Sequence, residues 1–178
     1  MGVLKLKLTI AYDGFQYKGW QVQKSGITVQ QKIEEALQKL FPSVDRVHSS
    51  SRTDTGVHAR GMVAHVEIEK DEYRIGELKL RLALNAFLPD DVSVLEVKRV
   101  PANFHARFDA TGKQYRYMIW NHPVSNPLTR HTSWHVSRNL DLADMQKAAK
   151  YFIGKHDFSA FAVKREYEMR STVRVVTN

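Results

Sequence analysis

From Leu4 to Tyr12 every second residue is large and apolar (Leu4, Leu6, Leu8, Ile10, Tyr12), with Lys5, Lys7, Thr9 and Ala11 between them. Successive side chains of a strand point to opposite faces, so this period of two describes a strand with one face buried. The chain then changes period. Thr28 and Gln31 have capping-box spacing, Val29, Ile33, Leu37 and Leu40 recur at helical intervals, and Pro42 ends the run. Arg46–Ser50 reads as a second strand, and the alternation of Met62, Ala64, Val66 and Ile68 as a third. Ile75, Leu78 and Leu82 mark the apolar face of a second helix that ends before Pro89, and Val92–Val100 reads as a fourth strand.

The order β-α-β-β-α-β predicts an α+β fold of the ferredoxin-like, split βαβ kind for residues 1–103. Helices would cover one face of an antiparallel sheet and leave the other available to a ligand. Residues 104–178 read as a partial second α+β half continuing the same sheet. Lys113–Asn121 and His131–Val136 are its expected strands, and Asp141 caps a helix carrying Leu142, Met145, Ala149 and Phe152. Gly154 stands where that helix would stop, and Ser171–Thr177 is a last strand. No closing helix and strand follow, so this half reads as unfinished.

The 178 residues contain no cysteine, which rules out disulfides, thiolate metal sites and a cysteine nucleophile. No run approaches the roughly 20 apolar residues needed to span a bilayer. The N-terminus lacks the apolar stretch of a secretory signal, so a cytoplasmic location is expected. Net charge is +8, which favours a polyanionic partner such as nucleic acid. Residues 1–100 hold 15 basic and 13 acidic groups, a net of +2, against 12 and 6, a net of +6, in residues 101–178. The excess in the later part suggests a basic face.

Three segments can carry chemistry. In Ser51-Arg52-Thr53-Asp54-Thr55-Gly56-Val57-His58-Ala59-Arg60, Asp54 lies two residues from Arg52 in a stretch too polar and glycine-broken for a core strand. A guanidinium so near favours an ionised carboxylate, which can act as a nucleophile or oppose a developing cation at a sugar carbon. The plainer alternative is a solvated loop with a surface ion pair. Phe104-His105-Ala106-Arg107-Phe108 and Lys113-Gln114-Tyr115-Arg116-Tyr117 interleave aromatic and basic side chains. Rings stack on exposed bases while guanidinium groups meet phosphates; the alternative is an ordinary strand with half-buried tyrosines. Tyr12-Asp13-Gly14-Phe15-Gln16-Tyr17-Lys18-Gly19-Trp20-Gln21 contains a turn signal and can line a groove with its aromatics and Lys18. His48, His58, His65 and His105 lie near these segments but show no metal-site spacing, and no nucleophile elbow is present.

As a set, these segments closely resemble the TruA-type tRNA pseudouridine synthases. The resemblance rests on Tyr12-Asp13-Gly14 through Gly19-Trp20-Gln21, on Arg52-Thr53-Asp54-Thr55-Gly56-Val57-His58-Ala59, and on Leu84-Asn85-Ala86-Phe87-Leu88-Pro89-Asp90-Asp91. It continues through Phe104–Phe108, Tyr115-Arg116-Tyr117 with Asn121-His122, and Asp157-Phe158-Ser159-Ala160-Phe161. It implies that Asp54 is the catalytic aspartate, that Arg52 positions it and fills the space of an extruded uridine, and that Tyr115 packs on the target base. Lys18, His58 and Arg107 are the expected RNA contacts. The implied substrate is the anticodon stem-loop of tRNA and the implied assembly a homodimer, with no cofactor and no metal. Members continue with a helix and strands that supply a further arginine, so the resemblance implies that the C-terminal part is lacking here.

Overall fold

The computed structural model describes residues 2–162 and 171–177. These form two compact units, Met1–Tyr115 and Arg116–Asn178.

In the first unit, strands β1 (Val3–Tyr12), β2 (Val47–Ser49), β3 (Ala59–Glu69) and β4 (Val92–Val100) form one sheet in the order β2-β3-β1-β4. Every neighbouring pair is antiparallel. Helices α1 (Val29–Gln38) and α2 (Glu77–Phe87) connect β1 to β2 and β3 to β4. The alternation in β1 divides as its sequence requires. Leu6, Leu8 and Ile10 are buried completely, facing a core that includes Ile33 and Leu37 of α1 and Leu80 and Leu84 of α2. Thr28 caps α1, its side chain accepting the Gln31 N–H. The reciprocal half of the box is not made, because the Gln31 amide reaches forward to Glu35 instead.

The face of α2 differs from expectation. Leu78 and Leu82 are exposed, while Leu80 and Leu84 are buried. Leucines at 78, 80, 82 and 84 offer two stripes at helical spacing, and contact with the sheet selects one. Asn85 fastens α2 to β4: its amide donates to the Val94 carbonyl and accepts the Val94 N–H, at 2.9 and 2.8 Å. These groups lie on the free edge of β4, so the amide also blocks that edge against further pairing. A bulge in the register between Thr9 and Ile10 turns Leu95 outward.

The opposite face of the sheet is not fully open. Lys5, Lys7 and Thr9 of β1 are paired with Glu67, His65 and Val63 of β3, and His65 with His48 of β2. Residues 104–108 cross this face. Ala106 is buried, its N–H donating to His65 Nδ1 at 3.1 Å, and Lys5 Nζ donates to the Phe104 carbonyl at 3.0 Å. Residues 104–108 are thereby hydrogen-bonded to β1 and β3 within the first unit.

The second unit contains β5 (Ile119–Asn121), β6 (Trp134–Val136), α3 (Leu142–Lys150), β7 (Gly154–Asp157), a short 3-10 turn (Ser159–Phe161) and β8 (Val173–Val176). Asp141 caps α3 as expected, accepting the Asp144 N–H at 3.0 Å. The expected continuation of one sheet is not formed by these strands. β5 and β6 make a parallel pair, and β7 and β8 a separate antiparallel pair. The strand expected from Lys113 begins only at Ile119. Tyr115 and Tyr117 are 74% and 88% exposed, and β propensity reflects packing on a half-buried surface that these tyrosines lack. Gly154 has φ +112° and opens β7, three residues beyond the Tyr151 that ends α3. No helix among the described residues is long and apolar enough to cross a membrane.

Candidate active site

Tyr12 is paired with Ala59 on one side and Val92 on the other. The chain leaving β1, the loop entering β3 and the turn entering β4 consequently meet at one end of the sheet. Asp91, just ahead of β4, holds the first of them. Its carbonyl accepts the Asp13 N–H at 2.9 Å, and its carboxylate accepts the Tyr17 hydroxyl at 2.5 Å. Burial, then the Asp91 carboxylate, raises the Tyr17 pKa, so its phenol stays protonated and donates.

The first two segments interlock through their backbones. Trp20 N–H donates to the Thr53 carbonyl at 3.0 Å, and Gly56 N–H to the Tyr17 carbonyl at 3.3 Å. The approach is too close for side chains. A Cβ on Gly14 would lie 2.0 Å from the Val57 oxygen, and one on Gly19, at φ +83°, 2.5 Å from the Thr53 oxygen. The 50–58 loop closes on itself through Val57 N–H to the Asp54 carbonyl at 3.2 Å, with Gly56 at φ +78°. A positive φ at the third position is what a type II turn demands.

This scaffold sets which side chains face solvent. Thr53 turns inward, its hydroxyl 2.8 Å from that of Tyr12. Arg52 and Asp54, on either side, are exposed. Together with Thr53, Thr55, Lys18, Gln21 and Gln23 they line an open cleft of about 410 Å³. The cleft therefore places one carboxylate among two cations and two amides. The surface ion pair of the plainer alternative, between Arg52 and Asp54, is not among those made by the described residues. Exposed groups of this kind gain little by pairing, and both project into the cleft without closing on each other.

The other residues singled out from sequence fall elsewhere. His58 Nδ1 lies 3.2 Å from Gly14 N and 2.9 Å from an Asp13 carboxylate oxygen. A neutral Nδ1 accepts the Gly14 N–H, and a protonated one donates to Asp13. In either form the ring braces the two loops, and it does not line the cleft. Arg107 is exposed on the turn that covers the sheet, its N–H donating to His105 Nδ1. Tyr115, the last residue of the first unit, is exposed and is not a lining residue.

Three further features emerge from the structure. Gln30, 3% exposed, accepts the Val22 N–H and donates to Glu34 and to the Val47 carbonyl, tying the cleft wall to α1 and β2. His65 stacks on His48 at 5.0 Å and meets His105 edge-on at 4.8 Å. Burial, then the charges of His48, His105 and Lys5, depress its pKa to about 4. These histidines form no metal-binding group. Gln21 ended a quoted motif and Gln23 lay just beyond it, but only the fold shows that both line the same cleft as Asp54.

The cleft thus holds an exposed carboxylate beside two cations, on loops fixed to each other by backbone bonds. The family model for tRNA pseudouridine synthase matches residues 8–109. The chain is 47% identical over 172 residues to a tRNA pseudouridine synthase A of Ruminiclostridium cellulolyticum, covering 97% of this chain and 69% of that protein. It is 46% identical over 159 residues to that of Geotalea daltonii, covering 88% and 63% respectively. A third, from Syntrophotalea carbinolica, is 45% identical over 171 residues, covering 96% and 66%. The chain belongs to the tRNA pseudouridine synthase family and spans 63% to 69% of the length of these three relatives.

Proposed function

We propose that this protein isomerises uridine to pseudouridine in tRNA, with Asp54 as the catalytic carboxylate. The observation that carries this reading is the placement of Asp54, exposed in the cleft with Lys18 and Arg52 and fixed from behind by Thr53 and the turn to Val57. Isomerisation breaks the N1–C1′ bond, turns the uracil and joins C5 to the same C1′. The proton lost from C5 is balanced by one gained at N1. Nothing is oxidised or reduced, so the reaction needs only positioning, charge and proton transfer. A carboxylate at C1′ can oppose positive charge, attack the carbon, or take the neighbouring sugar proton. All three routes use the same residue.

A uridine paired in a stem must first be swung out, at a cost of a few kcal/mol. Phosphate contacts by Lys18 and Arg107 offset that cost, and Arg52 occupies the vacated space. Tyr115 stacks on the extruded base. His58 supports the site from beneath by holding Gly14. The favoured substrate is the anticodon stem-loop, bound across a homodimer. In this reading residues 1–103 are a ferredoxin-like half carrying the aspartate loop. Residues 104–178 supply the basic, RNA-facing part.

Incubation with tRNA tritiated at uridine C5 tests the proposal, since each turnover releases tritium to water. A ferredoxin-like RNA-binding module without chemistry would bind the tRNA and release none.

A further inference from the structure

The backbone on both sides of Gln21 is anchored by hydrogen bonds. Trp20, before it, is 2% exposed, with its N–H bonded to Thr53 and its carbonyl accepting the Gln30 N–H at 3.0 Å. Val22, after it, donates its N–H to the Gln30 side chain at 3.2 Å. Both flanking peptides are thus tied to buried or loop-locked groups, and the half-buried Gln21 lines the same cleft as Asp54. No described residue forms a hydrogen bond with its amide. Gln23, which also lines the cleft, is already engaged, donating to the Lys18 carbonyl at 2.9 Å.

An amide offers one acceptor and two donors side by side. Uracil offers the complement along its pairing edge: N3–H flanked by the O2 and O4 carbonyls. The rearrangement adds a constraint of its own. Turning uracil half-way round the N3–C6 axis exchanges N1 with C5 and O2 with O4, and leaves N3–H in place. A group bonded to N3–H and one flanking carbonyl meets the same pattern before and after the turn. The cleft, near the lower end of the usual size range for small-ligand pockets, suits one nucleoside.

We propose that Gln21 holds the extruded uracil by its pairing edge, with Oε1 accepting N3–H and Nε2 donating to the adjacent carbonyl. It thereby keeps the detached base oriented while C5 replaces N1 at the sugar. The inference rests on the pseudouridine synthase reading and adds to it the group that retains the base.

The test uses short stem-loop RNAs carrying either uridine or N3-methyluridine at the modified position, with product formation followed in single turnovers. The methyl group removes the donor and adds bulk where Oε1 would sit. A good bidentate contact to a base is worth a factor of about ten or more, so the native chain should convert the methylated RNA about tenfold more slowly or worse. In Gln21→Ala the two RNAs should react within about threefold of each other, both slower than native on uridine. Gln23→Ala should keep the native penalty. An unchanged penalty in Gln21→Ala, or its loss in Gln23→Ala instead, would overturn the assignment while leaving the function intact. A native chain that makes no pseudouridine even from the uridine RNA would overturn the function and this inference together.

Discussion

The Thr53 hydroxyl lies 2.8 Å from the hydroxyl of Tyr12, a core residue only 5% exposed. This contact is one of those that join the Asp54 loop to the sheet, and Thr53, turned inward between them, leaves Arg52 and Asp54 exposed. Thr53→Val keeps the shape and removes the hydroxyl, leaving the part-buried Tyr12 hydroxyl without this partner. We expect a stability loss of about 1 kcal/mol and a larger loss of turnover than in Thr53→Ser, which keeps the bond. Denaturant midpoints and single-turnover rates on the same preparations check both.

The glycines of the two loops should fall into two classes. Gly14→Ala drives a methyl to 2.0 Å from the Val57 oxygen, and Gly19→Ala combines positive φ with a 2.5 Å approach to Thr53. Each clash is with backbone, so each variant should lose about 3 kcal/mol or more. Gly56 also has positive φ but nothing within 4 Å of an added Cβ. Gly56→Ala should cost only the conformational preference, about 1–2 kcal/mol. Urea unfolding of the three variants ranks them.

Tyr17 and Asp91 join the cleft's first loop to the turn before β4. Tyr17→Phe removes a hydrogen bond to a charged acceptor and should cost about 1.5–3 kcal/mol. Because Tyr17 lies one residue before Lys18, affinity for tRNA should also fall. Thermal denaturation and equilibrium binding report the two effects separately.

How much of this was legible in the sequence depended on whether the signal was local. The β1 alternation, the Thr28 cap and the Asp141 cap are settled within a few residues, and they appear as read. The α2 face was ambiguous because its leucines are spaced by two, so the stripe was chosen by a sheet that the helix sequence does not describe. The tyrosines at 115 and 117 alternate like a strand but have no surface to pack on. The aspartate loop was recognisable from its residues. What fixes it, Gly14 against Val57 and Trp20 against Thr53, joins residues more than thirty apart and leaves no local periodicity.

The covered face of the sheet should make the fold acid-sensitive. His65 titrates near 4 when folded against an ordinary value of 6.5, because burial and the charges of His48, His105 and Lys5 outweigh the opposing Glu67. Between these values the unfolded chain binds a proton that the folded chain excludes. Stability is therefore full above about pH 6.5 and falls as pH drops towards 4, by on the order of 3 kcal/mol in total. Protonation at Nδ1 also removes the acceptor for Ala106 N–H. Urea midpoints from pH 7 to pH 4 should show the fall, and His65→Gln should flatten it.

Tritium release from C5-labelled tRNA, measured in parallel for the native chain and for Asp54→Asn, bears most directly on the account. The substitution is nearly isosteric and Asp54 is exposed, so folding and tRNA affinity should change little. Release should be stoichiometric with pseudouridine in the native chain and fall to background in the variant. Release by Asp54→Asn at the native rate, or none by the native chain, would contradict it.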